Sequence, residues 1–197
     1  GNKITFTIND PKYLSIEVNG TAGRNKPLFI FGDTTEIPDT NADYYFGPDK
    51  KIINGVQTLG TNGVYNVGLR YPIAAGKTVY IAGGAIVEGT FLLSGDNIKI
   101  RGRGILSGGE WEAVWFPQSD IKKKTYSMFI NDEITTNNNY EISGLCLLNA
   151  SGWQNYGNYG QNSTIKNIKQ ISLNGCKDSN HLCGNSTMNH CFIFTND

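Results

Sequence analysis

The chain has 197 residues, room for one large domain or a small one beside part of a second, and its 17 basic and 17 acidic side chains cancel. Phosphate binding needs a basic excess, so this balance excludes nucleic acid as a main partner and argues mildly against a strongly acidic polysaccharide. No stretch approaches the roughly 18 apolar residues of a membrane span, and Cys146, Cys176, Cys183 and Cys191 show no CxxC spacing, so no membrane, metal or cofactor is expected.

Helical spacing is almost absent along the chain. Short β-branched and aromatic runs recur instead, punctuated by Gly, Asn and Asp. Ile4 to Ile8 and Leu14 to Val18 alternate, and Leu28 to Phe31 reads as a buried strand. With turns at Asp10-Pro11 and Asn19-Gly20, these predict antiparallel strands at the end of a small β-sandwich. An acidic stretch containing Pro38 follows and completes a first unit of sandwich and linker over residues 1–43. Gly1-Asn2-Lys3 shows no secretory signal and resembles a processed start.

From about Thr78 the pattern becomes a repeat. Glu141 to Leu145, Thr164 to Ile168 and Thr187 to Cys191 align at steps of 23 residues. Three apolar columns emerge: Ile142, Ile165 and Met188; Leu145, Ile168 and Cys191; Leu148, Ile171 and Phe194. Thr78 to Ile81, Ala85 to Val87 and Asn97 to Ile100 form looser earlier rungs. A helix-free period in the twenties predicts an all-β fold, a right-handed parallel β-helix over residues 44–197. An ordinary β-sandwich is the alternative. An uncovered solenoid end exposes unpaired backbone, so the helix is expected to continue past Asp197. Cys146 and Cys191 read as small buried hydrophobes, and Cys176 with Cys183 as a loop disulfide if the protein is exported. Sequons stand at Asn19, Asn149, Asn162 and Asn185.

Three stretches carry a resemblance: Leu69 to Ile73, Gly76 to Ala85, and Ile98 to Leu106. They resemble the opening coils of the pectinase-like parallel β-helix glycoside hydrolases. The resemblance is closest to the dextranase/isopullulanase family, whose members also carry an N-terminal β-sandwich, and next to the polygalacturonases. Tyr44 to Pro48 is similar to that family's passage into the helix. The resemblance covers most of the chain and is more specific for fold than for activity. It implies an inverting mechanism run by three aspartates, one on one coil and an adjacent pair on the next. Asp178, in Asn174 to Asp178, and Asp197, in Phe194 to Asp197, match the first aspartate and the first member of the pair. The chain is thus expected to break off inside the pair. Ser179 to Cys183 departs from the small or Gly-rich stretch that usually follows the first aspartate, which leaves Asp178 less secure than Asp197.

The chemistry suits such an arrangement, because inversion needs a protonated carboxyl on one side of the glycosidic bond and a base with its water on the other. Trp153 and Tyr156, in a Gly/Asn-rich turn one coil before Asp178, are the expected sugar-stacking residues. Trp111 and Trp115, in the Glu110 to Tyr126 insertion, either line the cleft or pack the insertion. His190 is expected to be structural. The expected activity is therefore that of a secreted or periplasmic, monomeric enzyme on a polysaccharide, with a neutral glucan favoured. A non-catalytic glycan-binding solenoid and a polysaccharide lyase are the alternatives. A lyase needs an Arg or Lys base and often an acidic calcium cluster, and the coils bearing Asp178 and Asp197 carry neither an Arg nor such a cluster.

Overall fold

The structure, a computed structural model, describes residues 3–17, 27–60, 62–108, 129–131, 137–150, 155–157, 160–172 and 180–195. For residues 129–131, 137, 155–157 and 181 the description is of backbone pairing alone. Every described element is a strand: β1 (Tyr13–Ile16), β2 (Leu28–Phe31), β3 (Tyr44–Phe46), β4 (Lys50–Ile53), β5 (Val56–Leu59), β6 (Val64–Ala74) and β7 (Thr78–Ile81). There follow β8 (Ile86–Ser94), β9 (Lys99–Gly102), β10 (Ile105–Ser107), β11 (Phe129–Asn131), β12 (Asn137–Asn138), β13 (Glu141–Ser143) and β14 (Cys146–Leu148). The last seven are β15 (Asn155–Gly157), β16 (Gly160–Gln161), β17 (Thr164–Lys166), β18 (Lys169–Ser172), β19 (Asn180–Leu182), β20 (Thr187–Asn189) and β21 (Phe192–Thr195).

Two compact units divide the chain, Gly1–Ile37 and Pro38–Asp197. In the first, β1 and β2 pair antiparallel, Tyr13 opposite Phe31. The Tyr13 ring meets Phe31 edge-on at 5.5 Å, and its hydroxyl donates to Asp33 Oδ1 at 2.9 Å. The antiparallel pairing agrees with expectation, but the strand expected over Ile4 to Ile8 does not form. Ile4 and Phe6 are 76% and 46% exposed, and the run pairs with no described strand. The turn expected at Asn19-Gly20 lies outside the described residues.

The second unit is a right-handed parallel β-helix. An eight-stranded sheet runs in the order β20, β17, β13, β9, β7, β3, β4, β5, parallel from β3 onward through β20 and closed at its first edge by the antiparallel β4 and β5. A second, nine-stranded sheet bends along β6 and β8. The first part of β8 pairs with β10, and its later part with β11. One limb is therefore β6, β8, β10, β14, β18, β21, and the other β6, β8, β11, β15, β19. Each coil visits the first sheet, then one limb, then the other; such parallel crossovers are right-handed.

The expected 23-residue register holds. Ile142 stands opposite Ile165, and Ile165 opposite Met188, continuing a column that starts at Val79 and Ile100. The first four side chains of that column are at most 1% exposed and Met188 packs against them. Leu145 and Ile168 are equally buried at the corner, with Cys191 packed against the core. The third column stacks as well, Leu148 beside Ile171 and Ile171 beside Phe194, and next to it Leu106, Leu147 and Gln170 form a wholly buried column. Gly144, with φ of 82°, turns the chain between Ile142 and Leu145, and beyond the turn the strand period of two puts Leu147 inside.

Two left-handed turns recur at the coil corners. Gly144, Asn167 and His190 occupy one, with φ of 82°, 54° and 51°, and Asn97, Asn139 and Asn162 the other, with φ of 59°, 59° and 53°. Asn tolerates this region better than most side chains. The Asn139 amide also donates to Asn97 Oδ1 at 3.3 Å, tying one coil to the next. His190 is exposed at its turn.

An ion pair fastens the start of the helix. Asp43 accepts from Lys77 Nζ at 2.8 Å and from the Thr78 amide at 2.9 Å. These bonds, that from Lys77 first, hold the Asp43 carboxyl below its ordinary value, and the carboxylate raises Lys77. A depressed carboxylate stabilises the fold above its unfolded value near 4, and that contribution disappears as pH falls through the folded value. Lys77 contributes below about pH 10 and loses its share above it. Asp43→Asn is therefore expected to lower thermal stability modestly at pH 7, with the difference from wild type shrinking as pH falls below the ordinary carboxylate range, as melting curves across pH will show.

Candidate functional site

Strands β14, β18 and β21 are neighbours in one limb, with Leu148, Ile171 and Phe194 in one row and Ser172 opposite Thr195. The chain therefore leaves this limb from stacked strand ends. Trp153 falls in the segment joining β14 to β15, Asp178 in the segment joining β18 to β19, and Asp197 just past β21. Those three residues lie outside the described residues, as do Trp111, Trp115 and Tyr159. Tyr156 is described through its backbone alone, in β15 between Ile130 of β11 and His181 of β19. The register adds a detail to the expected equivalence of the aspartates. Asp197 comes two positions after Thr195 in the chain, whereas Asp178 comes six after Ser172, so a step of 23 residues back from Asp197 reaches Asn174 and not Asp178.

Around these strand ends the interior changes character. Along one limb the inward column runs Tyr65, Val87, Leu106, Leu147 and then Gln170. In the other limb the same register runs Tyr71, Phe91, Phe129, Asn155 and Asn180. Gln170 is wholly buried. Its Nε2 donates to Asn180 Oδ1 at 3.1 Å, and Asn180 Nδ2 donates back to Gln170 Oε1 at 2.8 Å. Ser172, also wholly buried, has no hydrogen-bond partner for its Oγ. On the outer side Lys169 is 2% exposed and donates from Nζ to the Gly144 carbonyl at 3.0 Å. Burial pushes the neighbouring Cys146 thiol up to about 11 against the opposing charge of Lys169, so Cys146 stays protonated and unreactive near neutral pH. Cys146 is half-buried on the outer face and so is not the core residue expected, while Cys191 is packed against the core. The suggested Cys176–Cys183 bridge falls partly outside the described residues.

Two further polar groupings pair a carboxylate with a lysine. On the outer face of the first sheet, Glu141 takes hydrogen bonds from Lys166 at 3.1 Å and Ser143 at 3.0 Å. Burial pushes its carboxyl up, but Lys166, Ser143 and Arg101 outweigh burial and keep it below its ordinary value. Beside Asp43, a cavity of about 470 Å³ lies between Thr40, Asn41, Asn54 and Lys77, with its carboxylate already neutralised by Lys77. No grouping of His, Cys, Asp and Glu suited to a metal occurs among the described residues.

Sequence reasoning missed Gln170, Asn180 and Lys169. The signal for Gln170 was present, since it takes the place of Leu147 one repeat later. No family model, curated protein or solved structure matches the chain.

Proposed function

We propose that the protein is an inverting glycoside hydrolase that cleaves a polysaccharide, a neutral glucan by preference, outside the cell or in the periplasm. The observation that carries this reading is the pairing of β18 with β21, Ser172 opposite Thr195, the two strands that precede Asp178 and Asp197 in the chain. Adjacent rungs are about 4.8 Å apart, shorter than the roughly 6.5–9.5 Å that inversion requires. The resemblance to the dextranase/isopullulanase coils supports the same residues.

In this reading Asp197 gives its proton to the glycosidic oxygen as the bond to the anomeric carbon breaks. Asp178 takes a proton from water as that water bonds to the opposite face of the same carbon, leaving the sugar inverted. Neighbouring carboxylates resist joint ionisation, which keeps one of them protonated at working pH. Trp153 and Tyr156 provide faces for sugar rings.

The test is incubation of the natural full-length protein with neutral α-glucans and with polygalacturonate, following the first product by proton NMR. Cleavage of a glucan with inversion is the expected result. Unsaturated products would instead indicate a lyase. Binding without cleavage would indicate a glycan-binding solenoid, and retention would exclude the mechanism.

A further inference from the structure

We propose that the cavity beside Asp43, on the first coil of the β-helix, is a second and non-catalytic site that holds a neutral sugar unit of the glycan. This role rests on the reading that the protein acts on a neutral glycan, but on none of the residues assigned to cleavage. The cavity, about 470 Å³, has the volume of a small-ligand site. Its lining comes from the approach to β3, the turn between β4 and β5, and the residue before β7. Asp178 and Asp197 follow β18 and β21 in the chain, on the last two coils.

The local fold holds the lining in place. β4 and β5 form an antiparallel hairpin beside a parallel sheet, and Asn54 and Gly55 make its turn with φ of 48° and 80°. The Asn54 amide donates to the Asp43 carbonyl at 2.7 Å, which sets that turn against the start of β3. The Asn41 amide donates to Asp39 Oδ1 at 3.2 Å, and the Asp43 side chain is fixed by Lys77 and the Thr78 amide. Ile52 lines the cavity and packs on the buried cluster of Ala42, Tyr45, Tyr80 and Ala82. Within that cluster the two tyrosine rings stack 6.2 Å apart. The cavity thus has a firm apolar wall as well as a polar one.

The chemistry of the lining selects the ligand. Asp43 and Lys77 already satisfy one another's charge at 2.8 Å. An anion would have to draw Lys77 away from Asp43, and a metal ion would have to displace Lys77, so neither gains its full attraction. A polyol disturbs neither charge. A carboxylate accepts at about four positions and an ammonium donates three bonds. The ion pair and the Thr78 amide occupy two of those acceptor positions and one of those donors. Thr40, Asn41 and Asn54 add a hydroxyl and two amides, groups that both donate and accept. Neighbouring sugar hydroxyls also donate and accept, and Ile52 suits the C–H face of a pyranose ring. A site on the first coil would hold a distant stretch of the same polysaccharide that is cut near the last coils.

Hydrogen exchange of the natural full-length protein tests the site. The neutral probes are isomaltotetraose and maltotetraose, and the anionic ones are tetragalacturonate and inorganic phosphate. A neutral tetrasaccharide is expected to slow exchange at 40–43 and 53–55 by about fivefold or more, and the anions to leave it unchanged. Asn41→Ala with Asn54→Gly removes two amides yet keeps the hairpin turn, since glycine accepts positive φ. That double variant should need about tenfold more tetrasaccharide for the same protection, with its melting temperature unchanged. No protection of these residues by either tetrasaccharide overturns the site. Protection by the anions alone overturns the choice of a neutral sugar, and equal protection in the double variant overturns the assignment to these amides. Wild-type protein that cleaves glycan without this protection loses the site and keeps the hydrolase reading. Protein that shows the protection and cleaves no glycan loses the hydrolase reading and keeps the site.

Discussion

Asp197→Asn is expected to reduce hydrolysis of a natural glycan by several orders of magnitude, beyond the 10²–10⁴ of a single acid–base group if positioning is lost as well. Asn matches Asp in size and still accepts hydrogen bonds, but it has no proton to give to the departing oxygen. A glycosyl fluoride needs little protonation to leave, so the acid variant should keep most of its activity on that substrate. Asp178→Asn should slow both substrates alike, and cost less on glycan than the acid variant, because the attacking water needs a base whichever group departs and the other member of the expected aspartate pair still supplies one. Melting curves for both variants should stay close to wild type. The ratio of rates on glycan and fluoride therefore assigns the two roles, and full activity of Asp197→Asn on glycan would place the chemistry elsewhere.

Much of the architecture was legible because a solenoid writes its register into the chain. Residues facing the same interior recur once per coil, and Ile142, Ile165 and Met188 announced both the period and the inward side of the first sheet. The step across Gly144 is a corner and the step after it is a strand, and these obey different geometry. The column of Leu106, Leu147 and Gln170 beside Leu148 and Ile171 is not apolar throughout, so the apolar repeat did not reveal Gln170, the clearest polar departure in the core. Ile4 to Ile8 failed for another reason. Alternation records a preference for a half-buried pleated surface, but a strand also needs a neighbour, which local sequence does not specify. The candidate carboxylates were legible from resemblance and spacing. The amide pair joining β18 to β19 depends on a contact between the two limbs of one sheet, which no local pattern reveals.

Gly102→Ala is expected to be the most damaging small substitution in the helix, costing more than about 4 kcal/mol in equilibrium unfolding. Gly102 has φ of 134°, a conformation closed to side chains with a Cβ, and it stands opposite Ile81 in the neighbouring coil. A methyl group there would collide with the Ile81 carbonyl oxygen and come within 2.6 Å of its carbon. Both are backbone atoms, so no rotamer change relieves the clash. The same carbonyl accepts from the Arg103 and Gly104 amides at 3.0 and 2.9 Å, and displacing it would strip the corner of both bonds. The next coil rests on this one just as closely, since a Cβ at Gly144 would meet the Gly102 carbonyl oxygen. Gly76→Ala is the control. Gly76 also has positive φ, 72°, but open space surrounds its missing Cβ, so alanine there should cost only the roughly 1–2 kcal/mol of left-handed backbone. Denaturant titration of the two variants separates conformational strain from collision between coils. Equal losses would mean that the coils are packed less closely at Gly102 than the contact with Ile81 requires.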